Sequence, residues 1–171
     1  KSARDRWSDE NLLTPIVDFD VLFIPDNSRA LGQILAFMKY NEVSKLNYLG
    51  TNIWNTPDLP KRAANENASI YFVDALDVSG SADQPADFFK DYLALYGEEP
   101  TLAEVQAYES AKIIREQLSA GSSSREELAA NLRALGRSSG VTGELRMSSQ
   151  REIERPIHVL TLDAGLVKKT E

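Results

Sequence analysis

The chain has 171 residues, a length that accommodates one packed domain or two small lobes. With 42% hydrophobic and 26% charged residues it has a globular composition, and a net charge of -7 without clustered Lys or Arg excludes binding nucleic acid through its phosphates. There are no cysteines, which excludes disulfides, thiolate zinc sites and a cysteine nucleophile.

No apolar run approaches the roughly 18 residues that cross a bilayer. The opening Lys1-Ser-Ala-Arg-Asp-Arg-Trp7 has neither an initiating Met nor the apolar core of a signal peptide, and reads as a start inside a longer chain. Residues 1 to 13 suit the tail of a preceding helix that Pro15 ends. Ile16 to Ile24, rich in branched and aromatic residues, predicts a strand with an exposed beginning and an end buried on both faces, stopped by Pro25. Ser28 is placed to cap a helix running to Tyr40 or Asn41, with Leu31, Ile34, Leu35 and Met38 on one face. Leu46 to Gly50 predicts a second strand, Pro57 and Pro60 limit regular structure in the loop after it, and Ser69 to Ala75 predicts a third strand.

Two apolar runs that each end in a polar turn, with one helical pattern between them, form a strand-helix-strand unit. Such units place binding loops at the strand ends. Asp26, Asn27 and Ser28 after the first strand, and Thr51, Asn52 and Trp54 after the second, are therefore the candidate ligand-binding residues. Trp54, with Asn55 beside it, either covers the core or stacks on a ligand.

From Val78 to Pro85 the composition shifts to Ser, Gly, Ala, Asp and Pro, which predicts a linker or crossing between lobes. Three helices come next. The first starts near Pro85 and closes at Gly97 with Phe88, Phe89, Tyr92, Leu93 and Tyr96 on its apolar face, aromatics whose helical spacing reads as core. Thr101 and Glu104 form a capping box for the second, which ends near Ala120 before Gly121. Ser124 and Glu127 repeat the device for the third, ending near Gly136. Gly140 to Gly143 then predicts a turn, Glu144 to Met147 a strand, Ser148 to Glu154 a polar hairpin connection, and Arg155 to Leu162 a last strand ending at Asp163-Ala-Gly165.

Three catalytic patterns fail on context. Asp18-Phe-Asp20 has the Asp-x-Asp spacing of haloacid-dehalogenase-like phosphatases, but the strand continues through Val21 to Ile24, so the acids stand at its start, away from any converging Mg²⁺ site. His158 is the only histidine and lies inside an apolar strand pattern, without partners for a zinc site or hydrolytic triad. Gly140-Val-Thr-Gly143 lacks the Lys and following helix of a phosphate loop. No metal, cofactor or catalytic residue is assigned.

The order of these pieces resembles the type I periplasmic substrate-binding proteins of the leucine/isoleucine/valine-binding branch. The resemblance rests on Phe19-Asp-Val-Leu-Phe-Ile-Pro-Asp26, Leu49-Gly-Thr-Asn-Ile-Trp-Asn55, Phe88-Phe-Lys-Asp-Tyr92 with Tyr96-Gly97 and Pro100, Ala107-Tyr-Glu-Ser-Ala111, Ser124-Arg-Glu-Glu-Leu128 and Gly140-Val-Thr-Gly143. Phe23-Ile-Pro-Asp26 and Leu49-Gly-Thr-Asn-Ile-Trp54 are also similar to penicillin-binding-protein-activator lipoproteins. The resemblance implies an α/β, Rossmann-like, three-layer fold with parallel sheets and two lobes, of which this sequence is the second portion. Residues 16–77 would form one α/β lobe, 78–139 the helical part of the other, and 140–171 strands returning across the hinge. It implies an extracytoplasmic solute-binding receptor, periplasmic or anchored in the cell envelope, that holds a small polar ligand such as an amino acid for the membrane permease of an ABC-type transporter. The alternative it implies is an envelope lipoprotein that regulates a peptidoglycan synthase. In the amino-acid receptors the turn matching Asn52 carries an acid that pairs with the ligand's ammonium. Asn52 cannot supply that charge-assisted bond, and Asp26 is the nearby acid.

Overall fold

The structure is a computed structural model that describes residues 17–63, 68–77 and 86–170. The expected Val78–Pro85 linker and the segment before Val17 lie outside the described residues. Among the described residues, eight strands and five α-helices are arranged in chain order as β1 Val21–Phe23, α1 Ser28–Tyr40, β2 Asn47–Gly50, α2 Leu59–Ala63, β3 Ser69–Asp74, α3 Ala86–Tyr96, α4 Leu102–Ser119, α5 Arg125–Arg133, β4 Arg137–Gly140, β5 Gly143–Met147, β6 Ile153–Glu154, β7 His158–Asp163 and β8 Leu166–Lys169.

The first sheet has the order β1-β2-β3-β7-β8. β1, β2 and β3 run parallel, as the intervening helices demand, whereas β7 and β8 extend the sheet antiparallel. Side-chain alternation gives this sheet two unlike faces. Tyr48, Ile70, Phe72 and Leu160 point to a core closed by Leu31 and Leu35 of α1 and by Leu59 and Ala63 of α2, with Trp54 among them. Ile34 and Met38 complete the predicted α1 stripe at the margin of that core. On the other face Val21, Phe23, Leu49, Val73 and Val159 are exposed, and no described helix covers them.

That open face corrects one expectation. β1 is an edge strand three residues long, and Phe23 is 58% exposed where burial on both faces was expected. Asp18 and Asp20 precede β1 and are exposed, at the opposite end of the strand from the candidate turns. The α1 cap also moves by one residue. Asn27, not Ser28, caps the helix, its Oδ1 accepting from the backbone N–H of Arg29 at 3.0 Å and of Ala30 at 3.1 Å.

The second sheet is the antiparallel ribbon β4-β5-β6, to which α4 is bonded through Lys112 and Glu109, with α5 packed on α4. Leu76, Val105 and Val141 form its small core, with Phe88, Phe89 and Leu102 packed around them. β4 lies between the expected helix end near Gly136 and the turn expected from Gly140, where no strand was predicted, β6 forms inside the expected polar connection, and β8 comes after the strand expected to be last.

Candidate functional site

β1, β2 and β3 end side by side, so the segments that leave their carboxyl ends share one rim, the place where open α/β sheets present ligand loops. The first segment is Ile24 to Ser28. Its backbone stays in the sheet through the Ile24 N–H, which donates to Leu49 O at 2.8 Å, and then turns at Pro25 into the N-terminus of α1. Asp26 and Asn27 are exposed there. The Asp26 carboxylate accepts from the Asn27 N–H at 2.6 Å, while Asn27 is committed to its capping bonds. Ser28 is buried and its Oγ lies 3.2 Å from Thr56 Oγ1, which donates to it.

The second segment is a single tight 3₁₀ turn, Asn52–Trp54, entered from Thr51. Asn52 and Ile53 are exposed, and Thr51 Oγ1 is buried without a hydrogen-bond partner. Trp54 folds back over Gly50, whose missing Cβ leaves room for the indole, and meets Phe72 edge-on with ring centroids 6.4 Å apart. At 0% exposure Trp54 takes the core-covering role of the two that its sequence position left open. Its indole N–H donates to Asp26 O at 2.7 Å, so the ring that seals the core also ties the two turns together.

The third segment leaves β3. Asp74 is 4% exposed; its Oδ2 accepts from Asn55 Nδ2 at 2.7 Å and its Oδ1 from the Leu76 N–H at 3.2 Å. Asn55 Nδ2 also donates to Leu76 O at 2.9 Å. Burial pushes the Asp74 carboxyl above the usual carboxylate range, against the hydrogen bonds from Asn55, Leu76 and Ala75 and the charge of His158. His158 is half-buried in β7 opposite Asp74. The Asn55-Asp74 link is not legible in the sequence because its partners are a loop residue and a strand end far apart in the chain. The one available signal is the Asp that closes an otherwise apolar β3.

Asn55 and Thr56 also line a cleft of about 350 Å³, whose other walls are Pro57 and Pro60, Leu76, the Glu99–Thr101 connector between α3 and α4, and the β8 hairpin. The predicted aromatic face of α3 divides. Phe88 and Phe89 enter the second core, Tyr92 is half-buried, and Tyr96 is exposed beside a groove of about 610 Å³ shared with Tyr108 and the carboxylates of Asp87, Asp91 and Glu104. Among the described residues no group of three His, Asp or Glu is placed to hold a metal ion, and no helix is long and apolar enough to cross a membrane.

No family model matches the sequence, and no curated protein does. Solved structures do match. The branched-chain amino acid transporter substrate binding protein LivJ of Streptococcus pneumoniae, in complex with isoleucine, superposes with a TM-score of 0.68 at 25% identity over 90% of this chain and 46% of its own. The leucine binding protein LivK of Thermotoga maritima gives 0.69 at 17% identity over 89% and 44%. A solute binding protein of an ABC transporter from R. palustris, in complex with benzoate, gives 0.66 at 14% identity over 88% and 42%. This chain spans less than half the length of each. Parallel strands joined through helices, antiparallel strands closing the sheet, and turns gathered at the carboxyl rim agree with those superpositions: the chain carries the fold of the type I periplasmic binding proteins of the leucine/isoleucine/valine-binding kind.

Proposed function

We propose that this chain is part of an extracytoplasmic solute-binding receptor, which holds a small polar ligand between two lobes and presents it to the membrane permease of an ABC-type transporter without catalysing a reaction. The observation that carries the reading is the pair of turns Asp26–Ser28 and Thr51–Asn55. They sit at the ends of adjacent parallel strands and are fastened to one another by the Trp54-Asp26 bond, with Asp26 and Asn52 facing solvent. A rim held rigid by its core and lined by exposed polar groups suits recognition, since ordering costs are met before the ligand arrives. Asp26 supplies a carboxylate for an ammonium or hydroxyl and Asn52 an amide that both donates and accepts, while Thr51, its hydroxyl buried without a partner, lies behind them.

In this reading residues 16–77 form one lobe with the ligand turns, 78–139 belong to the other lobe, and 140–171 contain the strands that return across the hinge. The solved neighbours bound to isoleucine and to benzoate make amino acids and small carboxylates the first ligands to try. The test is a thermal-shift screen of the complete native protein against free amino acids, small amides and small carboxylates. At 100 times its dissociation constant a ligand adds about 2.7 kcal/mol of stability, a rise of several degrees that Asp26→Ala or Asn52→Ala should diminish. No shift with any of these compounds, together with retention of a peptidoglycan synthase in a pull-down, would replace the receptor reading with that of an envelope interaction protein.

A further inference from the structure

Asp74 ends β3 beside the second turn, and each hydrogen-bonding partner of its carboxyl among the described residues is a donor. Asn55 Nδ2 reaches Oδ2 at 2.7 Å, the Leu76 N–H reaches Oδ1 at 3.2 Å, and the Ala75 N–H also bonds the carboxyl. Asn55 Nδ2 places its other hydrogen on Leu76 O at 2.9 Å. An ionised carboxylate accepts all the bonds aimed at it, whereas a protonated one brings an O–H that needs an acceptor. The Asn55 side chain supplies one by turning its amide over, which takes Nδ2 away from Leu76 O. The carboxyl therefore has two discrete hydrogen-bonding settings, and they differ at Asn55.

Asn55 is also the residue that closes the 3₁₀ turn. Its N–H donates to Asn52 O at 3.0 Å, and the N–H of Thr56, next in the chain, donates to Trp54 O at 2.7 Å. A change at the Asn55 side chain is thereby passed to the backbone of Asn52 and of Trp54, whose indole fastens the first turn at Asp26 O.

Resting on the receptor reading of these turns, we propose that Asp74 is the positioning residue of the second ligand turn, and that gain or loss of its proton moves Asn55, and with it Asn52, between two settings. Asp74 is buried and acts on a ligand only through Asn55. Its burial opposes ionisation, while the bonds from Asn55, Leu76 and Ala75 and the charge of His158 favour it, and the balance lies above the usual carboxylate range. His158 faces Asp74 from β7, Asp77 is buried three residues further along the chain, and the turn residues Asn52 to Asn55 carry no charge. The ionised setting makes both Asn55 bonds and so holds the turn in place before a ligand arrives. Solute binding at the rim therefore weakens as pH falls through the titration of Asp74.

Nuclear magnetic resonance of the isotope-labelled complete native protein tests this without a ligand. Between about pH 4 and pH 8 the Asp74 carboxyl carbon and the amide signals of Asn52 to Asn55 should shift with one shared inflection. Asp74→Asn, whose neutral side chain reproduces the donor and acceptor of the protonated acid, should hold the turn signals at the parent's acid-end positions throughout. Asn55→Ala cuts the relay, so there the Asp74 carbon should still titrate while the turn signals lose their inflection; this variant decides alone if Asp74→Asn does not fold. His158→Gln should keep the inflection. Turn signals that stay still while Asp74 titrates, that keep the inflection in folded Asp74→Asn or Asn55→Ala, or that lose it in His158→Gln overturn the proposal. These signals need no ligand, so their failure is separate from a failure of the receptor reading, which the ligand screen decides. Isoleucine, if that screen shows it bound, should bind about tenfold more weakly below the inflection than above it, and equal affinity on both sides would overturn the link to binding.

Discussion

Gly50 and Trp54 show how far single residues carry the candidate site. The indole occupies the volume that any side chain at position 50 would fill, so the second turn can close over the core only if that residue is glycine. Polar turns at Asp26 and Asn52 were legible from the sequence, because apolar runs that end in Pro, Asp or Asn announce strand ends. The direction of the Trp54 side chain was not, since it depends on the space above Gly50 and on Asp26 O, a partner far away in the chain. Asp74 carries a prediction of its own. Its folded-state proton affinity is raised by burial, so its contribution to stability is full below the ordinary carboxylate pKa and is lost as pH rises through the folded value. Glu104 and Glu127, held down by hydrogen bonds to Thr101 and Ser123, and Asp163, held down by Lys168, contribute with the opposite sign. Asp74→Asn isolates the first effect: its unfolding free energy should increase relative to that of the parent as pH rises from about 4 to 7, the variant becoming the relatively more stable protein, as read by urea titrations. A difference that stays flat over that range would show that the Asp74 carboxyl does not feel its burial.

At the scale of elements, the longer helices α1, α3, α4 and α5 were read more faithfully than the strands because their ends carry local chemistry, whereas α2 was missed: Pro60, read as a breaker, stands in its first turn, where a proline is tolerated. Asn27, Thr101 and Ser124 each stand immediately before a helix and each accepts a backbone N–H of its first turn. The Thr101 box is complete, with the Thr101 N–H donating to the Glu104 carboxylate at 2.8 Å and the Thr101 hydroxyl bonded to the same group. The third helix varies the pattern, because the Glu127 carboxylate reaches one residue further back, to the N–H and hydroxyl of Ser123. Replacing Thr101 by Ala should cost about 1 kcal/mol and lower the denaturation midpoint without changing the slope; an unaltered midpoint would mean that this cap is idle. The missed strands are those with no periodic apolar signal. β4 reads Arg-Ser-Ser-Gly, and its place depends on β5 pairing with it and on Lys112 Nζ donating to Ser139 O at 2.8 Å. β6 is two residues long, and β8 has two lysines in four residues.

At the scale of the molecule, the first sheet presents Val21, Phe23, Leu49, Val73 and Val159 on a face that no described helix covers. Parallel strands are ordinarily covered on both sides, and a contiguous apolar patch of this kind drives association. The 171-residue chain should therefore sediment as concentration-dependent oligomers, and Val21→Thr combined with Val159→Thr, which keeps branching at both strand positions, should shift it toward monomer. A single monomeric species at every concentration would mean that this face is satisfied in solution without a partner. The order of pairing in the same sheet bears on biosynthesis. β3 acquires its second neighbour only when β7 is made, after all three helices and the ribbon have been translated. At about 5 to 20 residues per second the emerging chain waits roughly 4 to 17 seconds with the outer edge of β3 bare. During that interval the nascent sheet exposes the unpaired backbone groups that holdase chaperones and stray strands compete for, so translation speed between Asp74 and His158 becomes a determinant of folding yield.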